Sequence, residues 1–162
     1  MTGSLRVGAT RIARAAQRRE WRCVDMLALS SARIAQETIR LEAHRDPAFA
    51  FRCVCQVITV FRRLDGQEQR AFLDDAMRIE PRRGELERKW DAFLAGVLAR
   101  EARLAGLPES SYRHLNQDER LILDTSWFYR ENPKTVGYLL ANTPAELKYK
   151  RVFVDPGSLE SL

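Results

Sequence analysis

Residues 47–64 read PAFAFRCVCQVITVFRRL, and the fold class follows from how their polar positions are spaced. Arg52, Gln56, Thr59 and Arg63 recur at steps of four, three and four. That period stacks side chains along one side of an α-helix instead of alternating them across a strand. The other positions are apolar, so only a narrow stripe of this helix can face water. Such a helix belongs inside a helical assembly, and it is expected at the centre, with Val57, Ile58 and Phe61 buried. Asp46 suits an N-cap and Pro47 the first helical position, where the missing N–H leaves no bond unmade. Beyond the helix, Asp65 and Glu68 have capping-box spacing and open another, with Phe72, Leu73, Ala76 and Met77 inside before Pro81 stops it.

Working outward, residues 10–43 hold few helix breakers. Val24, Leu27, Ile34 and Leu41 fall at three- and seven-residue spacing with Ala28 and Ala35 beside them. This predicts one long helix with that face turned inward. Residues 83–105 are amphipathic, with Leu86, Trp90, Phe93, Val97 and Leu104 on one face and Leu94 and Leu98 widening it. Glu85 and Lys89 form an i,i+4 pair on the wet side, and Gly106 and Pro108 close the helix. Asn116 and Glu119 repeat the capping-box spacing, predicting a helix over QDERLILDTSWFYRE. Asn132-Pro133 opens a short helix to about Ala141, Thr143-Pro144-Ala145-Glu146 opens a last one, and DPGSLESL trails as a tail. Trp21, Trp90 and Trp127 are expected as core or interface anchors.

The expected architecture is all-α: an irregular antiparallel bundle of about seven helices with short connections and no strand. It divides into a basic arm at 1–19, the bundle at 20–154 and a tail at 155–162. A length of 162 residues suits one domain with a core that needs neither disulfide nor metal. The apolar share of 45% and charged share of 30% are those of a soluble globular chain. The longest apolar run, 47–61, is interrupted by Arg52 and Gln56 and is shorter than the roughly 20 residues of a membrane span. Three cysteines, Cys23, Cys53 and Cys55, make no even disulfide set, and no apolar secretory segment opens the chain, which points to a reducing interior.

The charge excess is local. Of 27 basic residues, Arg6, Arg11, Arg14, Arg18 and Arg19 lie in 1–19 without one acid, so the remainder balances at 22 basic against 22 acidic. At helical spacing Arg11, Arg14 and Arg18 share one side, and Ala9, Ile12 and Ala16 another. With Thr2, Ser4 and Thr10 among them, this is the pattern of a mitochondrial targeting segment. Arginine outnumbers lysine 23 to 4 over the whole chain, which keeps the bacterial cytoplasm as the alternative. Retained as an arm, the segment would meet acidic patches on a partner, anionic lipid or RNA.

No catalytic, cofactor or metal site is expected. Cys53 and Cys55 point about 200° apart on a helix and cannot share an ion, and neither His44 nor His114 has a partner at ligand spacing. Phosphate-loop, nucleophile-elbow and H-E-x-x-H patterns are lacking. Asp74-Asp75 and Asp118-Glu119 read as solvated faces or caps. NPKTVGYLLANTPAELKYKR, residues 132–151, has the outline of a helix-turn-helix. Gly137 would allow close packing, Val136, Leu140 and Leu147 would face inward, and Lys148, Lys150 and Arg151 would meet phosphates. Against it, Asn142 stands in the turn, Lys150 takes an inward position, and few side chains suit base edges. The expected function is a non-catalytic helical accessory subunit contacting other protein subunits in a larger assembly, such as a mitochondrial respiratory complex, ATP synthase or ribosome. The alternative is a small bacterial regulator or adaptor that binds DNA through the C-terminal pair.

Overall fold

Asp46 is the hinge between the first two helices of the computed structural model, which describes residues 31–75, 84–130 and 132–160. Its N–H donates to the Glu42 carbonyl at 2.7 Å, closing α1 (Ala32–Arg45). Its carboxylate accepts from the Phe49 N–H at 3.0 Å, opening α2 (Pro47–Arg63) with proline at the first position. One residue thus satisfies orphan backbone groups of two helices. Val57, Ile58 and Phe61 are buried as expected, and Arg52 and Arg63 on the polar stripe are exposed. The capping box forms too: Asp65 Oδ1 accepts from the Gln67 and Glu68 N–H groups at 2.9 Å, and Glu68 Oε2 accepts from the Asp65 N–H at 2.9 Å. It opens α3 (Gly66–Asp75), which buries Phe72 and Leu73. Ala76, Met77 and Pro81 lie outside the described residues, as does the expected helix before Ser31.

The helix that the others surround is α4 (Glu85–Leu104), not α2. Every residue from Trp90 to Ala99 is buried, whereas α2 keeps its polar stripe at the surface. The expected centre is corrected for a reason visible in α4 itself. Ala92, Ala95, Gly96 and Ala99 are small, so neighbours approach on sides that a hydrophobic stripe alone would leave to water. A Cβ at Gly96 would sit 2.6 Å from Leu147 Cδ2. Leu104, expected inside, is exposed in the last turn. Lys89 and Glu85 pair at 2.7 Å. The helix ends in a Schellman arrangement: Gly106 has φ 73°, its N–H donates to the Arg103 carbonyl, and the Leu107 N–H donates to the Ala102 carbonyl, both at 3.0 Å. Along α4, Asp91 meets Gln36 and Arg40 of α1 while Glu87 meets His44, so α1 runs antiparallel to it. Phe51 meets Phe93 and Arg62 meets Glu101, so α2 runs alongside in the same direction.

The expected helix over 117–131 is absent. A 3-10 turn at Glu109–Ser111 leads to α5 (Arg113–Gln117), and Asp118 then caps a second 3-10 turn, Glu119–Leu121, by accepting from the Arg120 N–H at 3.0 Å. Asp124, Thr125 and Ser126 favour local turns over helix. The aromatic run that follows enters an extended conformation. Strand β1 (Trp127–Phe128) pairs in parallel with β2 (Val152–Phe153), Trp127 opposite Val152. Between them lie α6 (Val136–Asn142) and α7 (Ala145–Tyr149). Residues expected to trail from the bundle instead dock on it as α8 (Pro156–Glu160), with Leu159 buried and Glu160 accepting from Arg100 at 2.5 Å and Arg62 at 3.2 Å. The described residues therefore form a helical bundle carrying one two-residue strand pair. No described helix is long and apolar enough to cross a membrane.

Candidate interaction surface

The outward side of α1 carries two apolar residues that the spacing assigns to the core, although Ala35 beside them is buried. Ile34 and Leu41 are 48% and 58% exposed, while Gln36 and Arg40 are 2% and 3% exposed. The expectation that Ile34 and Leu41 pack inward is thus corrected, and Asp91 is the cause. Buried on α4, Asp91 requires hydrogen-bonding partners. Arg40 donates to it through Nε at 2.8 Å and Nη2 at 2.6 Å, and Gln36 Nε2 donates at 3.1 Å. Arg40 Nη1 also reaches Glu37 at 2.5 Å. Burial by itself lowers the Arg40 pKa, but the bonds and charges of Asp91 and Glu37 outweigh it and raise it. Ala32, Ala35 and Ala43 of α1 are buried as well. With that seam fixed, Ile34 and Leu41 point away. They line a shallow groove of about 700 Å³ with Ser31, Arg33, Glu37, Thr38 and Asp75. Asp75 accepts from the Ser31 hydroxyl at 2.5 Å and from the Arg33 N–H at 3.2 Å, tying the end of α3 to the start of α1.

Of the basic residues singled out in the sequence, Arg6, Arg11, Arg14, Arg18 and Arg19 lie outside the described residues. The three C-terminal ones do not form a phosphate-facing row. Lys150 is wholly buried and donates to the Leu115 carbonyl, which corrects its expected place at a surface; burial pushes its ammonium down to about 8, against the opposing charge of Asp118. Lys148 is half-buried and donates to the Ala141 carbonyl at 2.8 Å. Arg151 is exposed, at φ 60°, and donates to the Asp124 carbonyl at 2.5 Å. Each cation serves a backbone acceptor on a different segment. Nor does Gly137 provide the expected close packing: nothing lies within 4 Å of a Cβ placed there, and Leu140, expected inward, is exposed while Leu139 is buried.

A second concavity was hidden in the residues read as helix. Phe51 and Tyr129 stack at 4.6 Å and 6°, Trp90 meets Trp127 edge-on at 5.3 Å, and Phe93 packs among them. The Arg130 guanidinium lies 5.5 Å from the centre of the Tyr129 ring, with its backbone at φ 55°. Beside it a cleft of about 260 Å³ is lined by Tyr138, Leu139, Val154 and Asp155 among others, and the Tyr138 hydroxyl donates to Asp155 at 3.4 Å. Burial raises the Tyr129 pKa. The signal was the consecutive Trp127-Phe128-Tyr129, three adjacent aromatics that suit an extended segment better than a helix. Cys53 and Cys55 are both buried, and burial pushes the Cys55 thiol up to about 11, away from reactive thiolate. Among the described residues, no three His, Cys, Asp or Glu side chains are grouped to hold a metal ion. No known protein family, curated protein or solved structure matches this chain.

Proposed function

We propose that this chain is a non-catalytic helical subunit that docks another protein subunit on the outer face of α1. The observation that carries the reading is the exposure of Ile34 and Leu41 on a helix whose orientation the buried Arg40–Asp91 pair fixes. Rotating α1 to hide them would strand Asp91, whereas a docked subunit would cover them with that pair intact. Since each side chain is already about half buried, covering the rest is worth about 1–2 kcal/mol apiece. The polar residues around the groove supply the rim expected of a protein interface. The test replaces Ile34 and Leu41 together by Glu in the cells that make the protein and separates extracts by size. The wild-type chain is expected in a large species and the variant as a smaller one with an unchanged melting temperature. A wild-type chain that runs as a free monomer overturns the reading.

A further inference from the structure

We propose that the cleft beside Tyr129 binds a small zwitterion, a free α-amino acid with an apolar side chain. The site is separate from the outer face of α1. Four segments meet at it: α2 brings Phe51, the end of β1 brings Tyr129 and Arg130, α6 brings Tyr138 and Leu139, and the end of β2 brings Val154 and Asp155. At about 260 Å³ it falls below the roughly 300–1,000 Å³ of drug-sized pockets, a size that suits an amino acid better than a nucleotide. Two opposite charges line this space unpaired. The parallel register of β1 and β2 brings Arg130 and Asp155 out at the same end of the strand pair, yet no ion pair joins them, and neither pairs with another described residue of opposite charge. Arg130 is exposed, leans on the Tyr129 ring and holds φ 55°, a costly backbone for a non-glycine residue and one that recurs at ligand sites. Asp155 accepts from the Gly157 N–H at 3.0 Å and the Tyr138 hydroxyl at 3.4 Å, both at Oδ1, so Oδ2 has no donor among the described residues. A simple anion would be drawn by Arg130 and repelled by Asp155, and a simple cation the reverse. A zwitterion satisfies both: its carboxylate takes the guanidinium donors, its ammonium meets Oδ2, and its side chain lies against the stacked Phe51 and Tyr129 rings and Leu139.

The test titrates L-phenylalanine into the full chain and follows methyl signals. Those of Leu139 and Val154 are expected to shift and saturate by about 20 mM, the range of a millimolar site, while Ile34 and Leu41 stay still. N-acetylphenylalanine keeps only the negative charge and phenylalanine methyl ester only the positive one, so each should bind about tenfold more weakly. Asp155→Asn and Arg130→Asn should each weaken phenylalanine binding by about tenfold as well. Asparagine can still cap at 155 and tolerates the left-handed backbone at 130, so both variants should melt like the wild type, and either one alone decides the matter if the other does not fold. Each should also lose one discrimination: Asp155→Asn should take the acetyl compound, and Arg130→Asn the ester, as well as it takes phenylalanine, which a merely structural role for these residues would not produce. The proposal is overturned if the wild type shows no saturable shift at Leu139 and Val154. It is overturned equally if all three compounds bind alike, since the walls then accept any aromatic ring.

Discussion

At the scale of single residues, Gly96 and Lys150 carry the sharpest consequences. Gly96 lets α7 lie against the middle of α4: the Cβ of an alanine would come within 3.1 Å of Leu147 Cγ and 3.3 Å of its Cα, so the short helix itself would have to move. Gly96→Ala is therefore expected to destabilise the fold by about 1–3 kcal/mol despite alanine's better helix propensity, as read from urea unfolding. Lys150 makes stability depend on pH with a definite sign. Its ammonium sits at about 8 in the folded chain against an ordinary 10.5, so above pH 8 the unfolded chain holds the extra proton and stability rises, by about 3 kcal/mol if taken to completion. Cys55 opposes this: its thiol is pushed from 9.0 to about 11, so the unfolded chain loses its proton first and stability falls between those values. Unfolding midpoints are expected to climb from pH 8 to 9 and flatten above. In Lys150→Met the climb should vanish and only the fall remain.

At the scale of elements, most caps and turns were legible because their chemistry is local; the Asn116–Glu119 spacing was the exception, since Asn116 lies within α5 and Asp118 does the capping. Asp46-Pro47, the Asp65–Glu68 box and Gly106 need only a few neighbouring residues to be satisfied, and all three act as their spacing indicates. The facing of α1 was not legible, because it depends on Asp91, more than forty residues away. The seam can be tested on that ground. Arg40→Met should cost about 3–5 kcal/mol by leaving a buried carboxylate without its forked partner. Adding Asp91→Leu should recover most of the loss, since the charge that needed Arg40 is then gone. If the double variant unfolds as easily as the single one, packing of the arginine stem, and not the ion pair, orients α1.

At the scale of the whole molecule, the C-terminal residues complete the bundle. Leu159 is buried, and Glu160 joins Arg62 and Arg100 around the buried carboxylate of Glu101, linking α8 to α2 and α4. Leu159→Ala is expected to cost about 2–5 kcal/mol by thermal or urea melts, where a trailing tail would show no change. Glu160→Gln should cost far less, because Glu160 is itself exposed and its pairs are screened by water. The inward position of Lys150 was legible in the spacing, but the separate acceptors of Lys148, Lys150 and Arg151 were not: adjacent basic residues look alike in a string, yet each finds a different carbonyl once the chain is folded.

The sequence by itself determined that this chain is helical, where most of its helices begin and end, and that α2 hides Val57, Ile58 and Phe61, because periodicity and capping act within a few turns. Tertiary structure alone decided which helix lies at the centre, since that rests on how closely Ala92, Ala95, Gly96 and Ala99 admit their neighbours. It also decided that α1 shows Ile34 and Leu41 to the outside. Hydrophobic pattern ranks faces by transfer from water, but a buried carboxylate without a partner costs more than two exposed apolar side chains, and only the fold brings Asp91 to Arg40.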